Sequence, residues 1–126
     1  MFQGVEILKA HPRIVTLCGS TRFIEMLAIM AYELEKAGAI VLGCHYLPPP
    51  YFEKKKIELV KSHLAENEKI EAHFDSLHFE KIEMSDSIYV LNIGGYIGES
   101  TRREIAYAEK LGKPVSYHEK TIEGSA

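Results

Sequence analysis

Hydrophobic positions along the chain switch between two periods. Residues 13 to 17, "RIVTL", form a short β-rich apolar run ending in "CGST", and Phe23, Leu27, Met30, Ala31 and Leu34 then recur at helical spacing until Gly38 stops them. That order predicts strand, tight turn, helix. A second buried strand is expected at "AIVLGC" (39 to 44), and "YLPPPY" after it forbids both helix and sheet, so a loop is expected there. Between Phe52 and Met84 there is neither Gly nor Pro, and the Lys/Glu-rich composition predicts one long or two consecutive helices. "SIYVLNI" (87 to 93) has the pattern of a third strand. The glycine-rich "GGYIGEST" follows, then a helix ended by Gly112 and a last short strand "PVSYH" begun by Pro114.

This alternation predicts an α/β fold: a single Rossmann-like domain over residues 1–126, its parallel sheet of four to five strands flanked by helices through right-handed crossovers. Ligands of such sheets gather at the carboxyl ends of the strands, where "CGSTR", "GCHYLPPP" and "NIGGYIGEST" fall. A length of 126 residues, 46% hydrophobic, suits one ordinary core and not two. Fifteen Lys+Arg against eighteen Asp+Glu leave a net charge of -3, which lacks the basic footprint of a nucleic-acid-polymer binder and is compatible with a charged small molecule. No run approaches the roughly 20 apolar residues of a membrane span, and the first residues lack a leader pattern, so a soluble cytoplasmic protein with no membrane partner is expected. Cys18 and Cys44 lie far apart and outside C-x-x-C spacing. They read as small buried apolar residues, not as a disulfide or zinc pair.

Three segments can carry chemistry. Ser20, Thr21 and the amides after Gly19 open the first helix, and Arg22 adds a bidentate donor; this is either a phosphate cradle or a plain N-cap by Ser20 with Arg22 solvated. Thr101-Arg102-Arg103-Glu104 has the spacing of a capping box. Glu104 therefore either bonds back to the cap or faces the crevice at a switch point, where Gly94, Gly95 and Gly98 let a ligand approach the backbone. On the mid-chain helix, Ile70, Phe74, Leu77 and Met84 form an apolar stripe in which Lys81 takes the i+11 place. That amine snorkels, pairs with an acid such as Asp86, or shares a polar pocket with His78 and Asp75. "HFDSLH" lacks the i, i+4 histidine pair of a helical metal site, and neither metal nor cofactor is expected.

"VTLCGSTR", a long mid-chain helix entering "SDSIYVLN", and "GESTRREIAYAEKLGKPV" resemble the nucleoside 2-deoxyribosyltransferase superfamily, including its nucleoside 5'-monophosphate N-glycosidase branch, over about residues 13 to 117. Glu104-x-x-x-Ala108-x-x-x-Gly112-Lys113-Pro114 looks like the helix that bears that family's nucleophilic glutamate. The resemblance also implies a 5'-phosphate anchor at Gly19, Ser20 and Arg22, finished by Ser100 or by Thr101 beside it. The chain departs from the family at two helpers: Thr16 stands where a tyrosine holds the glutamate, and His78 where an aspartate serves the base. Asp75, one turn from His78, and the loop tyrosines Tyr46 and Tyr96 are the residues at hand to replace them.

The implied reaction is N-glycosidic bond cleavage, or deoxyribosyl transfer, on a nucleoside 5'-monophosphate. Glu104 attacks C1' through an oxocarbenium-like state, and His78 or Asp75 protonates the departing base. A histidine, with a reference pKa of ~6.5, meets that acid's requirement with little tuning. "GGYIGEST" also looks like the glycine loop of ribonucleotide phosphoribohydrolases. A nucleotide-binding module without turnover would use the same phosphate contacts and keep Glu104 as a cap. A homo-oligomer, most simply a dimer, is expected, because the resembling family builds sites across subunits and the 52–84 segment has apolar surface to spare.

Overall fold

Runs of β-branched and aliphatic residues pair side by side in a computed structural model that describes residues 11–43 and 68–120. The strands are β1 (Ile14–Gly19), β2 (Ile40–Gly43), β3 (Ser87–Leu91) and β4 (Val115–Tyr117), all parallel, in the order β2-β1-β3-β4. Helices α1 (Ile24–Lys36), α2 (Glu68–Met84) and α3 (Glu99–Lys110) connect them, with short 3-10 turns at Thr21–Phe23 and Ile93–Gly95. The α/β parallel sheet expected from the periodicity is therefore present. The loop expected around Pro48 and the start of the long helix near Phe52 lie outside the described residues. Among the described residues no helix is long and apolar enough to cross a membrane.

Strand alternation splits the interior into two clusters. Leu17, Val41 and Leu91 point to one face of the sheet and meet Ile24, Leu27 and Ala31 of α1. Cys18, Ile88 and Val90 point to the other and meet Ile82 of α2 and Ala108 of α3. Helix α1 ends where Gly38 takes a φ of +107°, a conformation that costs a residue with a Cβ.

Helix α2 buries a face that the sequence pattern did not single out. His78, Ile82 and Ser85, at i, i+4 and i+7, are turned inward, whereas Phe74, Leu77 and Met84 of the expected stripe are 38%, 42% and 66% exposed. The stripe is longer and more apolar, but the inward face is the one that ends the helix correctly: Ser85 Oγ donates to Ile82 O, and Thr16 Oγ1 of β1 donates to Lys81 O. Two orphan carbonyls at the helix end are thus satisfied inside the protein. Lys113, just after α3, donates to the carbonyls of Glu83 (2.7 Å) and Ser85 (2.5 Å), and Tyr107 of α3 donates to the Glu83 carboxylate. These bonds fasten α2 to α3 at their shared lower end.

Candidate functional site

The strand order reverses direction between β1 and β3, and in open α/β sheets the carboxyl ends of the strands at such a switch point are where a ligand crevice forms. Gly19, the last residue of β1, pairs with Leu91. A Cβ at Gly19 would lie 3.2 Å from Leu27 Cδ2, Leu91 Cβ and Leu91 O, so the glycine lets α1 and β3 close around the end of the strand.

Helix α3 starts earlier than the capping-box spacing implies. Gly98, extended at φ −76° and ψ 174°, is the N-cap without any side-chain cap bond, and Arg102 N already donates to Gly98 O at 2.9 Å. Thr101 is then the third helical residue and Glu104 the sixth, too deep in the helix to reach back to the cap. The capping role considered for Glu104 is thereby excluded. The inward face of α3 is instead Thr101, Glu104 and Ala108, at i, i+3 and i+7. Glu104 is 8% exposed.

Across from it stands His78, 3% exposed. His78 Nε2 is 3.4 Å from Glu104 Oε1 and 3.3 Å from Cys18 Sγ. One nitrogen thus faces both groups, and its proton can serve only one of them fully. With Glu104 ionised the proton belongs to the carboxylate, and the thiol can direct its own hydrogen towards Thr16 O, 4.0 Å away. This arrangement differs from a Cys-His-acid relay, in which the acid holds the opposite ring nitrogen. Glu104 Oε1 makes no hydrogen bond among the described residues. The sulfur, the nitrogen and a carboxylate oxygen all lie within 4.8 Å of one another, a set that could hold a metal ion. Its donors come from three elements, so no local spacing in the sequence displays it.

The other expected site residues divide into three groups. Asp75 lies at the rim, 3.8 Å from Arg103 in an ion pair whose side chains are each about half exposed. Ser20, Arg22, Gly95, Gly98, Ser100 and Thr101 line the two loops at the switch point. Ser20 Oγ caps the 3-10 turn by accepting from Arg22 N, as the plain-cap reading required, while the Arg22 guanidinium lies 4.3 Å over the Tyr96 ring and so joins the β1 loop to the glycine loop. Ser100 Oγ accepts from Arg103, and Gly95 is exposed at φ +80°. Lys81 stands apart: its Nζ donates to Gly43 O (2.7 Å) at the end of β2, two strands away from the glycine loop. Asp86, the acid considered as its partner, accepts from Ile14 N.

Thr16 does not stand in for a residue that holds the glutamate, because its hydroxyl is spent on the Lys81 carbonyl. Tyr46 lies outside the described residues. Two contributors escaped the sequence pattern. Cys18 is buried as expected, yet it also borders the histidine. Asn92, fully buried, exchanges bonds with the backbone of Glu119, whose carboxylate accepts from Gly94 N at 3.1 Å and shapes the glycine loop. An amide residue directly after a strand was the available signal. No protein-family model, curated protein or solved structure matches this chain.

Proposed function

We propose that the protein cleaves, or transfers the sugar across, the N-glycosidic bond of a nucleoside 5'-monophosphate, with Glu104 as nucleophile. The observation that carries this reading is a buried carboxylate, free of any capping duty, whose Oε1 faces a buried imidazole at 3.4 Å in the switch-point crevice. Buried carboxylates that do not serve structure are concentrated at functional sites.

The chemistry follows from charge. A Glu104 oxygen forms a bond to C1' while the C1'–N bond breaks and its electron pair leaves with the base. Esterification neutralises the carboxylate that had held a protonated His78, and the released Nε2 proton passes to the base. Water, or a second base, then opens the glycosyl-enzyme. Of the two candidate acids, His78 is favoured because it borders Glu104, whereas Asp75 faces Arg103 at the rim. Arg22, Ser20 and the glycine loop would receive the 5'-phosphate. The homodimer belongs to the same proposal, and the exposed Phe74, Leu77 and Met84 offer the face for it.

The test is chromatography of free base released from a panel of ribo- and deoxynucleoside monophosphates by the parent and by Glu104→Gln. Release by the parent and none by the variant supports the reading; equal release by both defeats it.

A further inference from the structure

We propose that Cys18, His78 and Glu104 form a site for a thiophilic divalent cation such as zinc, and that the bound cation silences the carboxylate. The silencing rests on the function proposed above; the binding does not. Cys18 Sγ, His78 Nε2 and a Glu104 carboxylate oxygen all lie within 4.8 Å of one another, with Nε2 3.3 Å from the sulfur and 3.4 Å from Oε1. Zinc bonds of roughly 2.0–2.3 Å in a tetrahedron hold ligand atoms about 3.2–3.6 Å apart, so Nε2 already stands at that spacing from both partners, and the sulfur and the carboxylate oxygen close on the ion by up to about an ångström through side-chain rotation.

A second observation points to a ligand. The Glu104 side chain is nine-tenths buried, yet its Oε1 has no hydrogen bond among the described residues. A buried acceptor left so is costly, and a cation beside it removes the cost. The donor set also suits the ion: one thiolate, one imidazole and one carboxylate are ligands zinc prefers, and the two negative charges cancel its own. On binding, the thiol proton and the proton on Nε2 both go to solvent, and the imidazole, with its remaining proton on Nδ1, presents the Nε2 lone pair. Glu104 then shares its negative charge with the metal and is held by it, which makes its oxygens poorer nucleophiles towards C1'.

The metal-stripped full chain is titrated with cobalt(II), which occupies zinc positions and reports a thiolate ligand by a ligand-to-metal charge-transfer band. The band is expected in the parent and in Cys44→Ala, which removes the only other cysteine. It is lost in Cys18→Ala and needs about tenfold or more cobalt in Glu104→Gln. Should Cys18→Ala unfold, Cys18→Ser decides the same question, because it keeps the shape of the side chain and cannot give a thiolate band. Absence of the band at about 1 mM cobalt, or its survival without Cys18, overturns the site. Base release that zinc abolishes and a chelator restores supports the silencing; release undiminished at saturating zinc overturns it. A metal-free chain that releases no base refutes the function proposed for Glu104 alone, since the cobalt band still decides the cation site.

Discussion

The two faces of the sheet are built to different rules. Under α1, Leu17, Leu27, Val41 and Leu91 make an apolar contact, and the polar groups of that face, Ser87 and the Tyr89 hydroxyl, lie beside it with partners in Arg13 and His118. Under α2 and α3, Cys18, Ile82, Ile88, Val90 and Ala108 make a similar core, but Thr16, His78, Ser85, Thr101 and Glu104 are buried beside it. Burying polar groups costs unless each is satisfied. Thr16 and Ser85 offset that cost by closing the end of α2, whereas Glu104 leaves an oxygen unsatisfied and closes nothing. One face holds the fold, and the other gives up stability to bury the polar centre for which a reaction is proposed above.

The sharpest break of that comparison is Glu104→Gln. The variant keeps the shape and the burial, so melting stays near the parent's, while base release falls by about a thousandfold or more. Calorimetry and a turnover assay on one preparation check both halves, and a variant with parental turnover places Glu104 on the structural side.

Leu27→Ala does the converse. Leu27 is 1% exposed among apolar neighbours, and its truncation costs about 2–5 kcal/mol in a denaturant titration. The folded fraction should retain its rate per active molecule. A loss of rate in excess of the unfolded fraction would show that the faces are coupled.

Arg22→Ala tests the crevice and not its floor. Removal of a charge-assisted phosphate contact, about 1.5 to 3 kcal/mol, weakens monophosphate binding roughly 10- to 150-fold and spares unphosphorylated nucleosides. Equal weakening of both, measured by calorimetric titration, would give Arg22 to the Tyr96 stack alone.

The smallest effect concerns alkaline pH. The hydrogen bond to Glu83, then burial and the charges of Glu83 and Glu80, raise the Tyr107 phenol above its ordinary 10.0. A raised folded value means that the bond stabilises below pH 10 and is lost as pH rises through the raised value. Tyr107→Phe should lower melting slightly at pH 8 and shallow the fall in melting above pH 10. Some fall persists, because burial also raises Tyr89 and Tyr117.

The apolar face was legible in the sequence and the polar one was not, for a physical reason. Phe23, Leu27, Ala31 and Leu34 announce a helix by spacing alone, and Gly38 announces its end. Spacing failed on α2, where Phe74, Leu77 and Met84 formed the better stripe and the weaker one, His78, Ile82 and Ser85, faced inward. Satisfied carbonyls decided that choice, and hydropathy does not record them. Glu104 was legible as a residue with two possible roles. Only the start of α3 at Gly98 removed one of them, and a three-residue shift in a helix start is finer than a pattern resolves. Cys18 was legible as buried but not as a neighbour of His78, since that contact joins residues 60 apart.

Lys113 fastens the foot of the two helices that carry His78 and Glu104. It grips the carbonyls of Glu83 and Ser85 at the foot of α2, while further along the two helices meet through the Phe79–Tyr107 ring pair, through His78 and Glu104, and through the half-exposed ion pair of Asp75 and Arg103. The two helices therefore resemble tweezers held at the base, with His78 on one arm and Glu104 on the other. A side chain that touches neither residue thus helps to set the gap between them, and evolution or design can retune the centre without touching it.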